Sequence, residues 1–160
     1  MSKKQVDFYL ISNRLRDAKY KLASRLANKL SRLDKKALII TDSKEQTEHL
    51  SQIMWSFRDS SFLAHERIDQ LESQAEIAKR YKQGLNFVVI GDALSVSAEI
   101  LENNFSVMIN LASEVPIYSH HFERVAEIVE SDDSEKKAAR TRYKHYQGEG
   151  FSIETHSLEL

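Results

Sequence analysis

The sequence predicts an α/β fold: a single three-layer, Rossmann-like domain over residues 1–160, with a mostly parallel central sheet flanked by helices. Three observations predict it. Short apolar runs alternate with longer segments in which apolar residues recur every three or four positions. The first strand–helix–strand unit has a crossover long enough to return the chain parallel to its starting direction. One proline, Pro116, and four glycines leave too few breakers for a sandwich of many tightly turned strands. A length of 160 residues suits one domain, and 41% hydrophobic against 29% charged residues is enough to build a core.

The elements follow in order. Residues 6–11 are apolar and aromatic-rich, the pattern of a buried strand. Leu15, Ala18, Leu22, Leu26, Leu30 and Leu33 then form one helical stripe. Residues 37–40 read as a second buried strand, paired in parallel with the first. Ser43 and Gln46 have capping-box spacing, opening a helix that runs to about Trp55 and buries Leu50, Ile53 and Met54. Residues 61–64 read as a short third strand. The polar segment 66–82 carries Ile68, Leu71, Ala75, Ala78 and Tyr81 at helical steps. Residues 86–90, closed by Gly91-Asp92, and residues 106–111 are further strands. Tyr118, Phe122, Val125, Ala126 and Val129 fit another helical stripe. Residues 132–135 open a last helix with acids in its first turn, where the helix dipole favours them. That helix carries Ala139, Tyr143 and Tyr146 on one side and ends near Gly148, leaving a short, partly apolar tail.

Enzyme signatures fail one after another. Cysteine is absent, so no disulfide, thiolate nucleophile, zinc knuckle or iron–sulfur site is available. The turn after the first strand reads Ser12-Asn13-Arg14, without the glycines that let backbone N–H groups approach phosphates. Asp42 stands where a ribose-binding acid would, but without the rest of that fingerprint it reads as a helix-start residue. No Gly-x-Ser-x-Gly elbow occurs. His120 and His121 are adjacent, which on a helix sets them about 100° apart and ill placed to share a metal. No catalytic residue, metal site or cofactor is assigned. No apolar run nears the roughly eighteen residues of a membrane span. The basic N-terminus lacks a signal peptide's apolar stretch, so a cytoplasmic protein is expected.

Charge is more informative. The formal net charge is -1, which argues against a wholly basic nucleic-acid binder. That balance is a sum of separated blocks. Residues 14–36 hold nine basic residues against two acids, residues 92–135 hold ten acids against Arg124 alone, and Lys136, Lys137, Arg140, Arg142 and Lys144 follow without an acid. Lys136, Arg140 and Lys144 recur every four residues and so share one helix face, with Tyr143 and Tyr146 alongside. Cations beside aromatics suit an anionic peptide with an apolar anchor, or a nucleic-acid strand. Cations favouring a helix C-terminus, with the tyrosines as core, remain the alternative.

At these residues the sequence resembles the chi subunit of bacterial DNA polymerase III holoenzyme. The resemblance spans nearly the whole chain. It opens with Phe8-Tyr9-Leu10 and continues through Lys35-Lys36-Ala37-Leu38-Ile39, Leu50 with Trp55, and Ser61-Phe62-Leu63-Ala64-His65. It resumes at Val107, Ile109-Asn110-Leu111 and Glu114-Val115-Pro116, then Phe122, Arg124-Val125 and Glu127-Ile128-Val129. It closes with Ala139-Arg140, Arg142-Tyr143-Lys144, Tyr146 and Gly150-Phe151.

The resemblance implies a non-catalytic replisome adaptor. Such proteins form a heterodimer with the psi subunit, which tethers them to the clamp loader, and they grip the acidic C-terminal tail of single-stranded DNA-binding protein. DNA is then reached only indirectly. By position, Arg140, Tyr143 and Lys144 match the family's tail-binding helix. Arg140 is expected to meet a tail carboxylate, Lys144 and Lys136 to attract its acids, and Tyr143 to wall a pocket for its terminal Phe. Val129, Gly150 and Phe151 are grouped with that pocket. The acidic loop 130–134 departs from better-known members and is expected to repel part of such a tail. Trp55 and Phe62 stand at positions implicated in psi contact; filling the core is their alternative role. The competing function is direct nucleic-acid binding through the basic helix 14–36.

Overall fold

The computed structural model describes residues 4–12, 15–56, 65–70, 88–101 and 105–159. Its centre is a seven-stranded sheet in which every pairing is parallel. The strands are β1 (Gln5–Ile11), β2 (Ala37–Thr41), β3 (Glu66–Arg67), β4 (Val88–Asp92), β5 (Val107–Asn110), β6 (Arg124–Val129) and β7 (Ser152–Leu158), in the spatial order β3-β4-β2-β5-β6-β1-β7. The helices are α1 (Ala18–Arg32), α2 (Lys44–Ser56), the single turn α3 (Ala98–Leu101) and α4 (Asp133–Gly148). Parallel sheets need cover on both faces. Here α1 and α2 pack Leu22, Ala23, Ala27, Leu50 and Met54 against Ile39, Ile90 and Ile109. On the other face Ile100, Ala139 and Tyr146 meet Val6, Phe8, Leu38, Met108 and Val125.

The three-layer α/β expectation agrees with this architecture, and several local expectations are corrected. β1 and β2 are parallel but not neighbours, because β5 and β6 lie between them. Tyr118 to Val129 is not a helix: Ser119–His121 is a 3-10 turn and Arg124–Val129 is β6. Every residue of β6 after Arg124 is buried, so its run of apolar residues reflects two covered faces rather than one helical stripe. Segment 66–82 opens as β3 and a 3-10 turn, Ile68–Gln70, and the rest of that expected helix lies outside the described residues. The expected strand 61–64 lies outside them too. Leu15 and Leu33, placed in the α1 stripe, are exposed, and Ile53 is only half-buried. The tail is a seven-residue edge strand, β7, held to β1 along its length.

Side chains set the helix boundaries. Ser43 Oγ accepts the Gln46 N–H at 3.1 Å, while Gln46 Oε1 accepts the Asp42 N–H at 2.6 Å. Asp132 caps α4 by accepting the Glu135 N–H at 2.8 Å. Helices α1 and α4 both end in a Schellman cap, with a left-handed residue just past the helix. At α4 the Gly150 N–H bonds Gln147 O and the Phe151 N–H bonds Tyr146 O, with Gly150 at φ 86°. The Phe151 ring packs on Tyr146 at 5.4 Å, the apolar contact this cap favours. At α1 the Asp34 N–H bonds Ser31 O and the Lys35 N–H bonds Leu30 O, but the left-handed residue is Asp34, at φ 56°. Glycine adopts this conformation without the Cβ clash that any other residue meets. Gly150→Ala is therefore expected to cost about 1 kcal/mol and Asp34→Gly to add about 0.5–1 kcal/mol. Urea denaturation of the two variants checks the opposite signs.

Candidate functional site

The site is built where α4 crosses β1 and β6. Asp132 starts the helix, and Ala139, Arg142 and Tyr146 at steps of three and four turn inward. Arg142 carries a charge into the interior and finds Glu127 there. Arg142 Nε donates to Glu127 Oε1 at 2.9 Å, with the two side chains 5% and 0% exposed. Tyr146 OH donates to Glu127 Oε2 at 2.6 Å, and Asn110 Nδ2 donates to the same oxygen at 2.8 Å. Arg142 NH1 also reaches Ser113 O at 3.1 Å, tying α4 to the loop after β5. Burial pushes the Glu127 carboxyl above its usual range, although Arg142, Asn110 and Tyr146 oppose the shift. Burial, and then the Glu127 charge, push the Tyr146 phenol up strongly, so it stays a donor.

With those residues facing in, the helix face one step around looks onto an open groove. The groove is a cavity of about 480 Å³ lined by Phe8 and Leu10 of β1, Val129 of β6, Thr155 of β7, and Lys136, Ala139, Arg140, Tyr143, Lys144 and Gln147 of α4. Its floor is apolar: the Phe8 ring lies 5.6 Å from Tyr143 and 6.1 Å from Tyr146. Its rim is cationic. Among the described residues, Lys136, Arg140 and Lys144 make no side-chain ion pair. The groove can therefore take a ligand that combines an apolar anchor with negative charge.

Five of the seven residues grouped from sequence line this groove: Val129, Lys136, Arg140, Tyr143 and Lys144. Gly150 and Phe151 do not; they form the αL cap of α4, and Phe151 is buried against Tyr146. Tyr146, placed from sequence beside the cations with a core role as the alternative, is interior, and so is Arg142 of the same charge block. Phe8 and Leu10 were readable as one face of a period-two strand, but nothing in their spacing pairs them with α4. Thr155 was missed because the tail was not read as a strand. The acids between Glu130 and Glu135 are partly engaged within the fold. Lys19 lies 3.8 Å from Glu130 and 3.4 Å from Glu135, while Asp132 caps the helix.

Trp55 lies elsewhere. It is 48% exposed on α2, with its ring 4.5 Å from His65, which in turn meets Ser51 Oγ at 2.7 Å. It does not fill the core. α2 covers the opposite face of the sheet from α4 and packs on β4, far from the β1–β7 edge. Phe62 lies outside the described residues. Asp42 accepts the N–H and hydroxyl of Ser113 at 2.9 and 3.0 Å, joining the loops after β2 and β5.

Asp7, Glu154 and His156 bring potential ligand atoms within 4.8 Å of one another. Asp7 is already engaged: Arg124 donates to it at 2.8 Å, Gln5 at 2.9 Å, and His156 lies at 3.0 Å. Burial raises its pKa, but these hydrogen bonds outweigh burial and hold the carboxyl below the usual range. The trio thus serves to pin β7 to β1. No helix among the described residues is long and apolar enough to cross a membrane.

The buried pair makes a direct prediction. Arg142→Ala leaves Glu127 interior and uncompensated, and should cost about 3–5 kcal/mol of folding stability. A loss below about 1 kcal/mol in urea unfolding would contradict the assigned role.

Residues 3–154 match the family described as DNA polymerase III chi subunit, HolC. The DNA polymerase III subunit chi of Pseudomonas aeruginosa is 29% identical over 154 residues, covering 96% of each chain. That of Haemophilus influenzae is 25% identical over 155 residues, covering 97% of this chain and 98% of its own. Among solved structures, Mss116p DEAD-box helicase domain 2 bound to an RNA duplex aligns with TM-score 0.66 at 12% identity, over 98% of this chain and 64% of that one. The C-terminal domain of the DEAD-box protein Dbp5 aligns with TM-score 0.61 at 12% identity, over 99% and 91%. The Pyrococcus furiosus Hef helicase domain aligns with TM-score 0.57 at 15% identity, over 79% of this chain and 27% of that one. At such identities the likeness to helicase domains is one of fold alone.

Proposed function

Because the chain belongs to the DNA polymerase III chi-subunit family, we propose that it is a non-catalytic adaptor of the replication holoenzyme. In this reading the α4 groove grips the acidic C-terminal tail of single-stranded DNA-binding protein. A separate surface at Trp55 holds the psi subunit, with Phe62, outside the described residues, as the second contact, and psi tethers the chain to the clamp loader. The chain then works as one domain in the bacterial cytoplasm and meets DNA only through its partners. The observation that carries the reading is the groove itself, an aromatic floor of Phe8 and Tyr143 beneath the cations Lys136, Arg140 and Lys144.

Each part of the groove has a task in this account. The terminal Phe of the tail enters between Phe8, Leu10, Val129 and Tyr143. Arg140 makes a charge-assisted contact with a carboxylate, and Lys144 attracts the tail's other acids. Burying one Phe contributes about 1.5–3 kcal/mol. Each charge-assisted hydrogen bond contributes a further 1.5–3 kcal/mol or so. Association and ordering costs offset much of this gain, so the expected contact is weak, with a Kd in the micromolar range or above. Such a contact is reversible and weakens with salt, because the rim charges are exposed.

Direct nucleic-acid binding by α1 is less well supported. Lys19 of that helix is already shared between Glu130 and Glu135. The two readings differ in outcome: direct binding predicts retention of DNA by the isolated protein with a steep salt dependence. The adaptor shows little retention until single-stranded DNA-binding protein is added.

Titration with a tail peptide tests the groove. Arg140→Ala should weaken binding about tenfold or more at low salt, as loss of one charge-assisted contact implies. Unchanged affinity would remove the assignment. For the second surface, Trp55→Ala should abolish co-purification with psi while leaving the thermal transition in place. Loss of the folded state instead would mean that Trp55 acts structurally.

A further inference from the structure

Glu130 interrupts the charge pattern of the groove. It is the one acid among the described residues lining the cavity, beside Ser131 and Lys136 at the N-terminal end of α4. Its side chain is 34% exposed, and its nearest cation, Lys19 at 3.8 Å, lies closer still to Glu135. The charged groups around it are Lys19 of α1, Asp17 before that helix, Asp132 and Glu135 at the start of α4, and Lys136 on the groove wall. Of these, only Glu130 and Lys136 line this end of the groove, while Lys19, Asp17, Asp132 and Glu135 act on Glu130 from outside the cavity. At the other end Arg140 and Lys144 line the cavity with no acid beside them among the lining residues. The groove is electrically polar along α4.

We propose that Glu130 is an orientation- and specificity-determining residue of the groove. It excludes a carboxylate from the N-terminal end of α4 and directs the anionic end of a bound peptide to Arg140 and Lys144. Its own oxygen is left to accept a peptide N–H. This inference rests on reading the groove as an acidic-peptide site. It adds a direction that the cations alone do not set, since Lys136, Arg140 and Lys144 are spaced evenly along the helix.

A pH dependence follows from the same arrangement. Burial, opposed by Lys19 and reinforced by Glu135, Asp132 and Asp17, holds the Glu130 carboxyl above its ordinary range. Ionised, it repels an acidic ligand; as pH falls through that raised value it becomes neutral and the repulsion goes. Acidic-peptide binding by the natural protein should thus tighten on mild acidification, before the peptide's own acids protonate near about pH 4.

The experiment measures fluorescence anisotropy with a labelled acidic peptide ending in Phe with a free carboxylate. The natural protein, Glu130→Gln and Arg140→Ala are compared between about pH 7.5 and pH 5 at low salt. Glu130→Gln, an isosteric change at a partly exposed position, should bind about fivefold tighter at the upper pH, the size of one screened charge repulsion. It should also lose the tightening seen on acidification. Equal affinity and equal pH slope for Glu130→Gln and the natural protein, with Arg140→Ala still weakened, would overturn the role of Glu130 and leave the groove assignment intact. No weakening in Arg140→Ala would overturn the groove assignment and this inference with it.

Discussion

The ion pair between Glu127 and Arg142 is the interaction on which the rest of the arrangement depends. Two charges taken out of water gain little net stability, because desolvation offsets their attraction. What the pair adds is position. Glu127 stands on a central strand and accepts from three donors, Arg142, Asn110 and Tyr146, that come from two other elements. Those bonds leave one rotation and one depth for α4 on the sheet. Once Ala139, Arg142 and Tyr146 face in, Lys136, Arg140, Tyr143 and Lys144 must face the groove.

The same constraint would let the proposed adaptor meet two partners. The groove lies between α4 and the β1–β7 side of the sheet, whereas Trp55 lies on α2, which covers the opposite face and packs on β4. The parallel sheet lies between them, so in the proposed role occupancy of one surface would leave the other accessible. This is the geometry an adaptor requires. The fold is shared with helicase domains, but fold does not carry function. The turn after β1 lacks the glycines that a phosphate needs, and Asp42 is engaged with Ser113.

Much of this was legible in the sequence where local chemistry decides. The buried runs of β1, β2, β4 and β5, the acidic start of α4 and the four-residue spacing of Lys136, Arg140 and Lys144 all read directly. The errors have physical causes. β6 was taken for helix because a strand covered on both faces shows no alternation, so Val125, Ala126 and Val129 mimic a helical step. The interior role of Arg142 was not read, because its partner is fifteen residues away in sequence. Phe151 was assigned to the groove, yet the αL conformation of Gly150 swings it back onto Tyr146. Tertiary pairing of this kind leaves no trace in a single sequence.

The proposed role requires that one face of α4, with β1, form an acidic-peptide site. Chemical-shift mapping of the labelled protein with a tail peptide tests it most directly. The account predicts shifts concentrated at Leu10, Val129, Ala139, Arg140, Tyr143 and Lys144, with α1 and α2 unaffected. Shifts centred on the basic face of α1, with α4 silent, would contradict it.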